Sequence, residues 1–367
     1  MPTWPDGEEY TSYSLTELLT PGAAPARPVD FDAFWRETYH QLTATDTETR
    51  LEGDESTSGK SVQRLSFRSS TGDRVLGWLV GPASGRRPRR GLVISHGYGG
   101  RAEPDLAMVP ADTAAIFPVA PWLPANAGAL PSADHVLLGI GDRYRYAQRF
   151  AVADIWRAAT VLLERFPETA ACLDYRGGSF GGGIGALALP WDHRFRRATL
   201  EVPSFGDFPV RLSRPCTGSG EAVRRHLLDH PEHRSMLDYF DAAIAAASIT
   251  IPVHVEAARM DPAVDPRGQF AVYHALSGPK RLAVYTAGHA DFDGSAREGA
   301  AVEAEAQAFL AAADVTGVAG VFCAATGTVI DPATLELPTA LEAPTAPELP
   351  TTPEASTTPE VDSPAPR

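Results

Sequence analysis

The sequence predicts an α/β protein: a mostly parallel central sheet with helices on both faces. Three observations lead there. Strand-like runs alternate with helix-periodic segments over most of the chain, the pattern of βαβ units. The runs GLVISHG and AAIFPVAP read as strands buried inside such a sheet. The run ACLDYRGG passes straight into a glycine-rich turn, YRGGSFGGG, followed by the small-residue run IGALAL. No repeat of solenoid length is visible.

The elements follow in order. DFDAFWRETYHQL predicts an amphipathic helix, with Asp30 or Asp32 at its N-cap and Phe31, Phe34, Trp35 and Tyr39 at helical spacing. VQRLSFRSS and RVLGWLVG, joined by the turn-prone TGD, predict a hairpin. GLVISHG and AAIFPVAP are strands, AVADIWRAATVLLERF a strongly periodic helix, and ACLDYRGG a strand entering the glycine turn. ATLEVPS (strand), a helical stretch from Glu221 to Ala247, PVHVEAA (strand), DPRGQFAVYHAL (helix) and KRLAVYTAG (strand) come next. EGAAVEAEAQAFLAAA closes the body as a helix. Residues 1–320 are read as one domain with an N-terminal helical extension over 1–60. Residues 321–367 are read as a disordered tail, because from Asp331 the chain repeats Pro, Thr and Glu with too little apolar content to offset ordering entropy.

The 367 residues suffice for a sizeable core, and 44% hydrophobic with 21% charged residues fits a soluble globular protein. A formal net charge of −14 argues against nucleic acid or an anionic membrane as the main partner. The N-terminus has no basic stretch followed by an apolar core, so no signal peptide is expected, and no run is long enough to span a membrane. Cys172, Cys216 and Cys323 form no metal-type pair and are read as free or buried thiols in a reducing compartment, the cytoplasm by default.

Gly177-Gly178-Ser179-Phe180-Gly181 fits G-x-S-x-G, between a strand and a helix of small residues. That is the setting of a nucleophile elbow, where a sharp turn presents the serine at the top of the sheet. A serine needs a base, and the base an orienting acid. PVHVEAA leads to Asp261, and LAVYTAG ends at Gly288-His289. The order Ser179, Asp261, His289 fits a triad at successive strand ends. Asp265 lies on the same loop and competes with Asp261, or else caps the helix that follows. His226, His230, His233, His254 and His274 are read as surface or core histidines, and Asp291 and Asp293 as solvated. The backbone amides of Phe180, after the nucleophile, and of Tyr98, in the loop HGYGG, are the candidate oxyanion donors.

These segments resemble the acetyl xylan esterase and cephalosporin C deacetylase group, carbohydrate esterase family seven, within the α/β-hydrolase fold. The resemblance spans Asp30 to Ala313 and rests on DFDAFWRET, HGYGGR, GIGDRYRYAQRFAVADIWRA, RGGSFGGGIGALAL, EVPSFGDF and MDPAVDPRGQFAVYHALSGPKRLAVY, followed by GHA. It implies Ser179 as nucleophile, His289 as base, Asp261 as acid, and the Tyr98 and Phe180 amides as oxyanion hole. It also implies a small acylated substrate, no metal or organic cofactor, and a homo-oligomer, since relatives form hexamers. Three departures lie on the catalytic face: Phe180 where the family has Gln, AIFPVAPWLPANAG where it has Arg-Gly-Gln, and Ala290 after His289 where it has Glu. They put substrate specificity in question, and Phe180, Trp122 and Tyr98 suggest a more aromatic acyl pocket. A peptidase of the prolyl oligopeptidase-like relatives and a non-catalytic binding protein on the same fold remain alternatives to an esterase.

Overall fold

The computed structural model describes residues 10–53, 57, 59–82, 86–126, 128–313, 315 and 320–335. Its strands are β1 (Arg50–Glu52), β2 (Lys60–Arg68), β3 (Arg74–Pro82), β4 (Arg90–Ile94), β5 (Thr113–Pro118), β6 (Leu173–Gly178), β7 (Phe195–Glu201), β8 (Val253–Ala258), β9 (Lys280–Tyr285), β10 (Val321–Cys323) and β11 (Thr328–Ile330). They form one sheet in the order β1-β2-β3-β5-β4-β6-β7-β8-β9-β10-β11. Pairing is parallel from β5 across to β10. It is antiparallel at both ends, where β1, β2 and β3 lead in and β11 leads out. The expected hairpin is β2–β3, with Arg68 opposite Arg74.

The helices are α1 (Leu15–Leu19), α2 (Phe31–Thr43), α3 (Ser132–His135), α4 (Ala147–Arg165), α5 (Phe180–Ala188), α6 (Phe208–Leu212), α7 (Gly218–Asp229), α8 (Arg234–Leu237), α9 (Ala242–Ala246), α10 (Pro266–Ala275) and α11 (Ser295–Ala311). One face of the sheet packs against α4, α5 and α10, with α2 lying over α4 and α9 against α5 and α10, in a single apolar cluster that includes Trp35, Trp156, Tyr175, Phe240 and Phe270. The opposite face meets α11, whose Phe309 and Leu310 join Leu92, Ile94 and Phe117. Strands such as β5 and β8 are buried along their whole length, as strands covered on both sides must be.

α4 is buried around most of its circumference because α2 lies over it. Two arginines are buried with it, and each is satisfied. Arg157 donates to the carbonyls of Arg68, Leu42, Thr45 and Asp46, and Arg149 to Thr38 Oγ1. A buried guanidinium without such acceptors would cost several kcal/mol, about 3–5. The Trp156 indole N–H donates to the Ala188 carbonyl at 3.0 Å, tying α4 to α5. Asp30 occupies the N-cap of α2 without capping it through its side chain. Its carboxylate instead accepts from Arg143 at 2.8 Å and from the Tyr239 hydroxyl.

Three expectations are corrected. The helical stretch from Glu221 to Ala247 is broken into α7, α8 and α9. Pro231 cannot continue α7, and the Asp241 carboxylate caps α9 by accepting from the Ala243 and Ile244 amides. The extension over 1–60 is not helical throughout, because β1 pairs with β2 and Lys60 opens β2. The tail assigned to 321–367 begins too early: β10 and β11 form a hairpin whose first strand pairs in parallel with β9. Residues 336–367 lie outside the described residues.

Candidate active site

The chain turns sharply between β6 and α5, and Ser179 is the turn. Its φ of 53° and ψ of −113° lie outside the regions a serine ordinarily takes, a conformation costing about 1–3 kcal/mol. Backbone hydrogen bonds hold it there. Ser179 donates to the Glu201 carbonyl at 2.8 Å and accepts from the Gly183 and Ser204 amides, both at 3.1 Å. The helix that follows also lies very close to its neighbours. A Cβ on Gly181 would stand 2.9 Å from the His96 carbonyl oxygen, and one on Gly185 would stand 2.2 Å from the Tyr175 ring. The Tyr175 hydroxyl donates to the Gly181 carbonyl at 2.6 Å across this gap.

The ends of β8 and β9 bring two further side chains to the serine. His289 Nε2 lies 2.9 Å from Ser179 Oγ, and His289 Nδ1 lies 2.8 Å from Asp261 Oδ2. A carboxylate only accepts, so Nδ1 carries the proton and Nε2 is free to accept from the serine hydroxyl. Asp261 is fixed by three other donors: the Ala263 and Val264 amides on Oδ1, both at 2.9 Å, and Gln269 Nε2 on Oδ2 at 3.0 Å. Asp265 is engaged elsewhere. It caps α10 through the Arg267 amide at 2.9 Å and pairs with the Arg267 guanidinium. Burial works against protonation of His289, but the hydrogen bond and charge of Asp261, with Glu201 nearby, outweigh it and raise its pKa above 6.5.

The HGYGG loop lies beside the serine: a Cβ on Gly97 would meet Ser179 Cβ at 3.6 Å. His96 anchors this loop. Its Nε2 accepts from the Ala120 amide at 3.0 Å, so its Nδ1–H donates to the Gly97 carbonyl at 2.6 Å. Burial holds that ring neutral, with a pKa of about 4. Among the described residues, neither the Tyr98 nor the Phe180 amide donates to a protein acceptor. Their side chains do not line the cavity at Ser179. Phe180 is fully buried, 4.4 Å from the Tyr98 ring centroid and 5.8 Å from that of His135. The more aromatic pocket expected from Phe180, Trp122 and Tyr98 is therefore corrected: the aromatic residues on the cavity wall are Tyr285 and Phe292.

That cavity, of about 390 Å³, is lined by Ser179, His289, Glu201, Tyr285 and Phe292 among others. Glu201 was not singled out in the sequence. It ends β7, opposite Gly178 on one side and Glu256 on the other, and a Cβ on Gly178 would stand 2.9 Å from its Oε2. Burial raises its pKa to about 7, reinforced by the charge of Glu256 and opposed by Arg176 and His289. Behind it, Arg176 makes a bidentate pair with Glu303 of α11, and Tyr285 donates to Glu256 at 3.3 Å. The sequence signal was only a glutamate at a strand end. Its importance comes from cross-strand register, which one-dimensional spacing does not carry.

A mostly parallel sheet flanked by helices, with a serine on a strained strand-to-helix turn, defines an α/β-hydrolase. The family model described as Acetyl xylan esterase (AXE1) matches residues 9–111 and 128–302, and the chain belongs to that family. It is a carboxylic ester hydrolase.

Solved structures agree at the level of fold. An acetyl xylan esterase from Paenibacillus sp. R4 superposes with a TM-score of 0.71 at 22% identity, over 81% of this chain and 98% of that one. Acetyl xylan esterase 1 from Thermoanaerobacterium sp. JW/SL YS485 gives 0.68 at 19%, over 82% and 100%. An acylaminoacyl peptidase in complex with Z-Gly-Gly-Phe-chloromethyl ketone gives 0.53 at 14%, over 75% of this chain and 43% of that one. A comparison with curated proteins gave no match. No helix among the described residues is long and apolar enough to cross a membrane.

Proposed function

We propose that the protein is a serine esterase that removes small acyl groups, acetyl foremost, from sugars or related alcohols. The observation that carries this reading is the hydrogen-bonded chain Ser179–His289–Asp261, with links of 2.9 and 2.8 Å. In the proposed reaction Ser179 Oγ attacks the ester carbonyl while His289 Nε2 takes its proton. Asp261 orients the ring and stabilises the imidazolium that forms. The carbonyl oxygen becomes an anion in the tetrahedral intermediate, and the Tyr98 and Phe180 amides are the donors proposed to receive it. His289 then protonates the departing alcohol, leaving an acyl-serine. Water, deprotonated by the same histidine, attacks that ester and releases the acid.

Family membership supports an ester as the bond cleaved. The cavity volume of about 390 Å³, near the lower end for small-molecule sites, supports a short acyl group on a modest alcohol. Hydrolysis of p-nitrophenyl acetate by purified wild type and Ser179→Ala tests the reading. Turnover by the wild type, lost in the variant, is expected. An inactive wild type, or a variant that keeps full activity, would overturn it. A series from acetyl to octanoyl esters tests the acyl preference: rates should fall as the chain lengthens.

A further inference from the structure

Away from the cavity, a second group of side chains has the makings of a metal site. Helix α7 ends at Asp229, and a 3₁₀ turn, Pro231–His233, separates it from α8. Three imidazoles crowd this break. The rings of His226 and His230 lie 4.7 Å apart, His226 and His233 5.2 Å, and His230 and His233 5.4 Å. Glu232 joins them: its Oε1 is 3.3 Å from His230 Nδ1 and 3.8 Å from His233 Nε2. One ligand atom from each of these three residues lies within 4.8 Å of the others. A tetrahedral ion with bonds of about 2.0–2.2 Å holds its ligands about 3.3–3.6 Å apart. One separation already fits, and small rotations of the half-exposed His230 and exposed Glu232 side chains close the others.

The other nitrogen of His233 is also committed. His233 Nδ1 lies 2.9 Å from His226 Nε2. If His233 Nε2 binds an ion, Nδ1 must carry the proton and donate it to His226, which fixes the ring's tautomer and orientation. Metal-bound histidines regularly have such an outer partner. Gly141 packs against His233 Nε2 and leaves room there only because it has no side chain. A Cβ on Gly141 would stand 2.8 Å from that nitrogen, and Gly141 and Glu232 both line a cavity of about 700 Å³.

We propose that His230, Glu232 and His233 form a binding site for a divalent transition-metal ion of the zinc class, with His226 as its positioning residue. Two imidazoles and one carboxylate suit zinc, nickel or copper rather than calcium or magnesium, and leave coordination positions for water. The ligands sit in the turn between α7 and α8, so the bound ion braces that turn, with His226 steadying it from α7. It takes no part in the hydrolytic chemistry.

The test uses untagged full-length protein stripped with EDTA, titrated calorimetrically with ZnCl₂ and followed by visible absorption with CoCl₂. Expected are one ion per chain, the intense visible bands of low-coordinate Co²⁺, and a rise in Tm on adding zinc. The double variant His230→Ala/His233→Ala should lose all three. His226→Ala, which keeps every ligand, should bind about tenfold more weakly or worse. His289→Ala should bind as the wild type does. Gly141→Ala keeps all four residues and should weaken binding through the blocked Nε2 face, so the proposal stays testable even if the double variant misfolds. No zinc uptake by the wild type, or undiminished uptake by both the double variant and Gly141→Ala, overturns the proposal. So does zinc uptake lost only with His289→Ala, which would place the ion at Ser179.

Discussion

Asp261 and Glu201 are two carboxylates beside the same histidine, set at the ends of neighbouring strands, and their surroundings are opposite. Asp261 accepts four hydrogen bonds, from two loop amides, Gln269 and His289. Glu201 accepts none at its carboxylate among the described residues; it faces Glu256 across the strand pair and has Arg176 as compensating charge. Burial disfavours the Glu201 anion, and no donor among the described residues offsets it. A carboxylate enclosed by donors is held in place and can orient a histidine. A carboxylate enclosed by another carboxylate is pushed toward neutrality and acts on the histidine only through its residual field.

The comparison can be broken at either end. Ser179→Ala removes the proposed nucleophile that the histidine serves and should lower kcat for p-nitrophenyl acetate by about 10⁵–10⁶-fold, with far-UV circular dichroism unchanged. Asp261→Asn should lower kcat by about 10⁴-fold, because an amide facing His289 favours the wrong tautomer. Arg176→Met removes the compensating charge behind Glu201 and leaves Glu303 without its partner. It should destabilise the fold by about 3–5 kcal/mol in chemical denaturation at neutral pH.

Glu201→Gln should cost less than about tenfold in kcat and is read in the pH profile. In the proposed mechanism His289 must be neutral to act as base, so activity is expected to fall as pH drops through its raised pKa. Removing the Glu201 charge lowers that pKa, and the acidic limb of kcat/KM should move to lower pH. The same variant sharpens the contrast in stability. A carboxyl whose pKa rises on folding destabilises the native state increasingly from the unfolded value up to about 7. Glu201→Gln should therefore raise Tm at pH 8 and leave it unchanged at pH 4. A loss of activity as large as that of Asp261→Asn would erase the distinction between the two acids.

Most of the central sheet was legible because each strand is a buried apolar run bounded by a turn or a helix cap. The positions of Asp261 and His289 were legible for a related reason: each lies on the loop a few residues past such a run. The edges were not. β1 and β11 are three residues long and largely exposed, so they carry neither an apolar run nor an alternation to read. β10 was hidden by its proximity to the Pro-, Thr- and Glu-rich segment. The aromatic reading of the pocket failed because Phe180 lies next to Ser179 in the chain, yet helical geometry turns its ring into the core. Glu201 and the histidines at the α7–α8 break depend on residues that meet only after folding, through strand register in one case and a broken helix in the other.

The close seat of α5 has a consequence for how this protein can diverge. With Gly185 against the Tyr175 ring and Gly181 against the His96 carbonyl, added side-chain volume at either position would displace the turn that presents Ser179. The elbow is in effect a length standard, set by the absence of atoms. New substrate ranges must then arise on surfaces that can change without moving it, such as the walls supplied by Tyr285, Phe292 and Ala290. Changes in specificity are expected there, while the stretch from Tyr175 to Gly185 is held by the packing that sets its serine.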